Sequence, residues 1–230
     1  MSTPALSDLL FERAKQTDLI TTILKTGLYP DGTPVPNTGK FVRWLYANVN
    51  ANNIGQGAYS VAYAGHPASP EFADRNERVL KISGAHSDQW RKFAKYCYEN
   101  SDKLVSNPLF PKIYFYTDEV PWGHDAAAIC EMLVVDRQKI DKIANESNIE
   151  SMGLAGYSLL VAAAGDHGKI SEALNQLIEK LGTSWQNLKQ FTDVLKQLFG
   201  DEDWQYRVDL HGGNIGWRRN GEVVFFDPIA

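Results

Sequence analysis

The chain has 230 residues, 43% of them hydrophobic and 22% charged, with a formal net charge of −5. A chain of this length buries about 70–75% of its unfolded surface. It therefore needs no disulfide staples, and its acidic balance excludes the clustered Lys and Arg of a non-specific nucleic-acid binder. The two cysteines, Cys97 and Cys130, lie in apolar contexts without C-x-x-C spacing, which predicts reduced core residues of a cytoplasmic protein. No apolar run is long enough to span a membrane. Asp8, Glu12 and Arg13 interrupt the N-terminal apolar residues, so no secretory signal is expected.

From Ser7 to Thr26, the residues Leu9, Leu10, Ala14, Leu19, Ile20 and Ile23 recur at near-helical spacing, which predicts an amphipathic helix. The Pro- and Gly-rich stretch 27–39 reads as a loop. Residues 1–39 thus form a helix and loop to which no chemistry is assigned. Lys40 to Asn50 alternates as a strand would. It runs into Asn53-Ile-Gly55-Gln-Gly57-Ala-Tyr59-Ser60, and a second β-type run, Val61 to Ala64, follows. A glycine loop between two strands lets backbone N–H groups approach phosphate oxygens, because no Cβ intervenes. Taken alone, a single G-x-G fits a hairpin bulge better. No third glycine and no immediate helix follow, which excludes a dinucleotide fingerprint, and no G-K-[ST] is present for a Walker loop.

After a polar connection, His66 to Glu77, the run Arg78-Val-Leu-Lys81-Ile82 reads as a strand holding one cation. Lys81 is either a surface lysine on an edge strand or a lysine aimed at nucleotide phosphates. Ser87 can N-cap a helix reaching about Asn100, with Trp90, Phe93, Ala94, Cys97 and Tyr98 as its apolar stripe. Glu99 ends that helix, where a carboxylate opposes the dipole. It is either solvated or paired elsewhere, and Lys81 is the candidate partner. Phe110 to Tyr116 and Ala126 to Val134 read as strands. Glu131-Met-Leu133 forms an extended connection, and the chain turns helical from Asp136. Asp141 to Gly200 is helix-rich. Its clearest helix is capped by Ser184, carries Trp185, Leu188, Phe191, Leu195 and Leu198 on one face, and stops at Gly200.

The last stretch is Asp209-Leu-His211-Gly-Gly-Asn214, then Ile215 to Trp217, Asn220-Gly221, and Val223 to Phe226. Asn-Gly between two apolar runs predicts a hairpin with a two-residue type I′ turn. That loop pairs Arg219 with Glu222, Trp217 with Val224, Ile215 with Phe226 and Asn214 with Asp227. Opposed side chains share a face, with Cβ atoms about 4.5–5.5 Å apart. An amide oxygen and a carboxylate would thus stand side by side, a donor pair that suits Mg²⁺. An Asp or Asn at a strand end is more often a turn or cap residue. The D-L-x-x-x-N order, followed by a hairpin and an Asp, adds weight to the metal reading.

The order of these features is similar to the protein-kinase fold over about Lys40 to Asp227: glycine loop, strand lysine, helix with Glu, two strands, helices, D-L-H-G-G-N, hairpin, Asp. Within kinases it most resembles the early serine/threonine protein kinase of podophages. Those enzymes carry G-x-F-S-A-A-Y, R-V-I-K, D-M-H-S-G-N and T-D-P. The counterparts here are Gly57-Ala-Tyr59-Ser60-Val-Ala-Tyr63, Arg78-Val-Leu-Lys81, Asp209-Leu-His211-Gly-Gly-Asn214 and Phe226-Asp227-Pro228. The phage family's long C-terminal extension, linked to shut-off of host transcription, has no counterpart, so that activity is not expected. D-x-H-x-G-N also occurs in atypical kinases of the quinone-biosynthesis type, but their alanine-rich nucleotide loop is not seen.

The resemblance implies an α+β, two-lobed fold. Residues 40–134 would be a β-rich N-lobe and 135–230 a reduced helical C-lobe lacking an activation segment, with ATP and Mg²⁺ bound between them. It implies transfer of the γ-phosphoryl group to a Ser or Thr hydroxyl of host proteins, in the host cytoplasm if the gene is phage-borne. Asp209 would accept the hydroxyl proton, Asn214 and Asp227 would hold Mg²⁺, and Lys81 would grip the phosphates and pair with Glu99. Amides from Gly55 through Gly57, Tyr59 and Ser60 would cover the phosphates, His211 would approach the γ-phosphate, and the backbone of Glu131 and Leu133 would take the adenine edge. Arg207-Val-Asp209 stands for H-R-D and Asp227-Pro228 for D-F-G, so control by a phosphorylated activation loop is not expected. Substrate would dock on the helices, on residues 1–39, or on a second copy of the chain in a homodimer. Two other readings remain open, a pseudokinase-type binding module and a small-molecule kinase.

Overall fold

The computed structural model of the chain describes residues 19–49, 51–56, 60–64, 78–84, 88–149, 152–165, 172–200 and 203–228. The expected helix before residue 19, the loop residues Gly57 and Tyr59, the polar connection and the Ser87 cap lie outside them. The fold is α+β, with a five-stranded antiparallel sheet, a separate two-stranded hairpin and several helices. The chain divides into two compact units, 1–91 with 113–132, and 92–112 with 133–230.

The first unit begins its described part with helix α1, residues 19–26. The loop after it turns at Gly27, whose φ is 71° and where a Cβ would come within 2.8 Å of Pro121 Cβ. Helix α2, Thr38–Asn48, follows. This corrects the strand expected over Lys40 to Asn50. The Asn37 side chain accepts from Lys40 N at 2.9 Å, as an N-cap should. Phe41 and Leu45, four residues apart, are both buried, and Phe41 stacks with Trp44 and Trp122 at ring separations of 6.5 and 5.0 Å. The apolar residues therefore follow a helical period, not a period of two.

The sheet comprises β1 (Asn52–Gln56), β2 (Ser60–Ala64), β3 (Arg78–Ser83), β4 (Ile113–Thr117) and β5 (Ala126–Glu131), in the order β1-β2-β3-β5-β4. Alternation assigns each face a chemistry. Tyr63, Leu80, Ile82, Phe115, Ala127 and Ile129 join Ile23, Leu24, Phe41 and Leu45 in one core, so α1 and α2 lie on that face. The other face carries small residues. Ser60 pairs with Ser83 and Ser83 with Ala126, while Ala62 pairs with Lys81 and Lys81 with Ala128. Helix α3, Asp88–Glu99, begins in this unit and ends in the second.

In the second unit, residues 92–112 join the later helices, although the sequence places them with the strands of 40–134. The reason is aromatic packing. Phe93 and Phe110 lie 5.8 and 4.9 Å from the Phe191 ring, which meets Phe225 edge-on at 5.3 Å. After the short α4 (Ser101–Leu104) come α5 (Arg137–Glu146), α6 (Met152–Ala164), α7 (Glu172–Leu181) and α8 (Trp185–Phe199). Ser184 caps α8 by accepting from Asn187 N at 3.2 Å, and Gly200, with φ 88°, ends it. Among the described residues no helix is long and apolar enough to cross a membrane. Both cysteines are free thiols.

Candidate functional site

A 3₁₀ turn, Trp204–Arg207, delivers the chain to Asp209 in extended backbone. The Asp209 N–H donates to the Pro228 carbonyl at 2.8 Å. Leu210 is buried and passes so close to α6 that a Cβ on Gly156 would stand 2.6 Å from the Leu210 carbonyl oxygen. The loop then folds on itself. Asn214 N donates to the His211 carbonyl at 2.9 Å. Asn214 Nδ2 donates to the Asp209 carbonyl at 2.7 Å and to Asp209 Oδ2 at 3.1 Å. Gly213 N donates to His211 Nδ1 at 2.9 Å. His211 Nε2 lies 3.6 Å from Asp209 Oδ2, a near approach outside hydrogen-bond range. So D-L-H-G-G-N forms a closed loop that gathers Asp209, His211 and Asn214.

The hairpin of β6 (Ile215–Trp217) and β7 (Val223–Phe225) exists, but its register differs from the expected one. Ile215 pairs with Phe225, Gly216 with Val224 and Trp217 with Val223. The loop has three residues. Arg218 N donates to Glu222 O at 2.9 Å and Gly221 N to Arg218 O at 3.0 Å, with Gly221 in the left-handed region at φ 90°. This is the three-residue hairpin connection with a left-handed glycine. Contacts with residues distant in the chain favour it. Arg218, only 6% exposed, donates to the Pro108 and Phe110 carbonyls at 2.9 and 3.0 Å and to Glu222 Oε2 at 3.2 Å. That anchors Arg218 as the residue that closes the loop with Glu222 and shifts every pair by one.

Asn214 therefore opposes Phe226, whose N–H donates to the Asn214 carbonyl at 3.1 Å, and not Asp227. The predicted side-by-side pair is corrected: the one-residue shift sets Asp227 one position past the residue opposite Asn214, in a bend beyond β7. Asp227 remains fixed at the open end, between the Asn214–Phe226 and Asp209–Pro228 backbone bonds. The Asn214 amide group is spent on Asp209, which leaves its Oδ1 for another partner, and the half-buried Asp227 adds a carboxylate. Among the described residues no three His, Cys, Asp or Glu side chains gather as a metal cage. One amide oxygen and one carboxylate fit Mg²⁺, which keeps water and phosphate in its remaining positions.

Lys81, in the first unit, stands on β3, which has neighbours on both sides. This overturns the edge-strand alternative. Its Nζ lies 4.2 Å from the centroid of the buried Trp90 ring, a cation–π contact. Gly55 lies within β1 beside a bulge between Asn53 and Gly55, and Ser60 opens β2. Glu99 ends α3 with an exposed side chain. Glu131, 9% exposed, closes β5 opposite Arg78. Val134 exchanges both backbone bonds with Trp217, at 3.0 Å each. Among the described residues, neither the amide nor the carbonyl of Leu133 has a backbone partner.

An open groove of about 580 Å³ on the first unit holds none of these residues. Lys25, Phe115, Thr117 and Pro121 are among its lining. On its wall, burial pushes the Tyr116 phenol well above its ordinary range, and Tyr116 donates to Asp118 at 2.8 Å. Sequence reasoning missed Arg137, Gly156 and Arg218, all of which touch the loop or the hairpin through residues distant in the chain. No local pattern marks them.

No model of a known protein family matches the chain, and a search of curated proteins finds no significant relative.

Proposed function

We propose that this protein is an ATP- and Mg²⁺-dependent phosphotransferase of protein-kinase type, acting on Ser or Thr hydroxyls of proteins, host proteins if it is phage-borne. The observation that carries this reading is the double hydrogen bond from Asn214 to Asp209, beside an Asp227 bracketed by two backbone bonds. Asn214 occupies Asp209 Oδ2 and leaves Oδ1 without a partner among the described residues. Oδ1 is the oxygen that would receive the hydroxyl proton as the hydroxyl oxygen bonds to the γ-phosphorus and the bond to the β,γ-bridging oxygen breaks. Asn214 Oδ1 and the Asp227 carboxylate are the oxygens that would hold Mg²⁺. Bound Mg²⁺ would neutralise charge on the β- and γ-phosphate oxygens.

Lys81 is assigned to the α and β phosphates. On the paired strands its neighbours are the small residues Ala62 and Ala128. The Leu133 amide and carbonyl are free to take the adenine edge. Positioning and charge neutralisation carry most of phosphoryl transfer, so this short set of groups is sufficient. Incubation of the purified chain with γ-labelled ATP, Mg²⁺ and a cell lysate tests the reading. Labelled proteins support it. Labelled metabolites alone would make it a small-molecule kinase, and no label at all, with intact nucleotide binding, a binding module.

A further inference from the structure

We propose that Arg137 is a further catalytic residue, the cation that meets the transferring phosphoryl group, an inference that rests on the phosphotransferase reading above. The loop from Asp209 to Asn214 contains no Lys or Arg; between them stand Leu210, His211, Gly212 and Gly213. Its one imidazole is already engaged. His211 Nδ1 accepts from Gly213 N at 2.9 Å, and an accepting nitrogen carries no proton. That bond assigns the ring as the Nε2–H tautomer, turned toward Asp209 Oδ2 at 3.6 Å. His211 thus faces the base and closes the loop.

The charge comes from α5. Arg137, its first residue, places Nη2 3.1 Å from where a Cβ on Gly213 would stand, beside the His211 ring at 2.7 Å from the same point. Glycine at 213 is what allows a guanidinium to lie against the loop. Arg137 is exposed and makes no hydrogen bond or ion pair among the described residues. The neighbouring charges are engaged elsewhere. Asp136 caps the helix by accepting from Lys139 N at 2.9 Å, and Lys139 Nζ sits 4.1 Å from the Trp217 ring centroid. A guanidinium keeps its charge at every working pH and presents its N–H donors as a fork that matches phosphate oxygens. In the transfer step Arg137 donates hydrogen bonds to the γ-phosphoryl oxygens and exchanges no proton. The oxygen–phosphorus bond that forms, the one that breaks and the proton passing to Asp209 stay as described.

The test uses the full chain with Arg137→Gln and Arg137→Lys. Calorimetry gives the affinities for ATP·Mg and ADP·Mg, and hydrolysis of ATP·Mg gives turnover. ADP lacks the γ-phosphoryl group, so Arg137→Gln should lower ATP affinity about tenfold, as for a lost charged hydrogen bond, and leave ADP affinity within twofold. Turnover should fall about 10²-fold, the loss typical of one preorganised donor, and Arg137→Lys should recover part of both. An unchanged ratio of ATP to ADP affinity in Arg137→Gln overturns the proposal, as does an equal loss of both affinities, which marks a structural role. Failure of the underlying reading looks different, since the unmodified chain would then either bind neither nucleotide or bind both without turnover, and Arg137 would lose its assignment with it.

Discussion

Asn214 holds Asp209 twice, through the backbone carbonyl at 2.7 Å and the carboxylate at 3.1 Å. The two side chains therefore act as one unit, in which the amide nitrogen fixes the carboxylate and the amide oxygen is presented on the other side. Removing Asn214 should both loosen Asp209 and delete one of the two proposed metal ligands. Asn214→Ala is expected to lose about 1–3 kcal/mol of stability, because the bonds to Asp209 go unmade. Thermal melting without ligand reads that loss.

Asp227→Ala should abolish the Mg²⁺-dependent part of ATP stabilisation, and Asn214→Ala should weaken it less. A ligand bound only to the folded state raises the melting temperature, and the more so the tighter it binds at a given concentration. Melting with ATP, with and without Mg²⁺, separates the two variants. Equal Mg²⁺ responses in Asp227→Ala and the unmodified chain would remove Asp227 from the metal site.

Arg218→Ala should be among the more destabilising substitutions in the second unit. It leaves the Pro108 and Phe110 carbonyls without their donor and breaks the pair with the half-exposed Glu222. The expected cost is about 2–4 kcal/mol, read as a lower urea midpoint. A variant as stable as the parent would show that the hairpin register does not depend on this anchor.

That anchor also explains which parts of the fold were legible in the sequence. Helix α8 was, because Ser184, the stripe from Trp185 to Leu198 and Gly200 state its start, face and end locally. The strand around Lys81 and the helix after Asp136 were legible for the same reason. The hairpin could be foreseen from Asn220-Gly221, but not its register, because the choice between a two- and a three-residue loop is made by Arg218 contacting residues 108 and 110. Lys40 to Asn50 was misread because Phe41, Val42, Trp44, Leu45 and Tyr46 satisfy both periods over so short a run. The Asn37 cap, in plain sight three residues earlier, decides for the helix. Within the site, the D-L-x-x-x-N order singled out Asp209 and Asn214, but their contact and the approach of Arg137 come from folding that no spacing encodes.

Gly156→Ala should report how tightly the Asp209 loop is held. A methyl group there would sit 2.6 Å from the Leu210 carbonyl oxygen, so backbone has to shift. Overpacking of this kind costs about 1–3 kcal/mol, and the strain falls on the residue next to Asp209. We expect turnover to drop with little change in nucleotide affinity. Unaltered melting and turnover would mean that α6 yields freely and does not position the loop.

Asp209→Asn tests the central claim most directly. The measurement is the rate of phosphate transfer from γ-labelled ATP to lysate protein, alongside ADP·Mg affinity. The account predicts that the unmodified chain labels protein and that Asp209→Asn is slower by about 10²–10⁴-fold, the worth of a positioned base, with nucleotide affinity within a few-fold. Labelling by Asp209→Asn at the parent's rate would contradict the account.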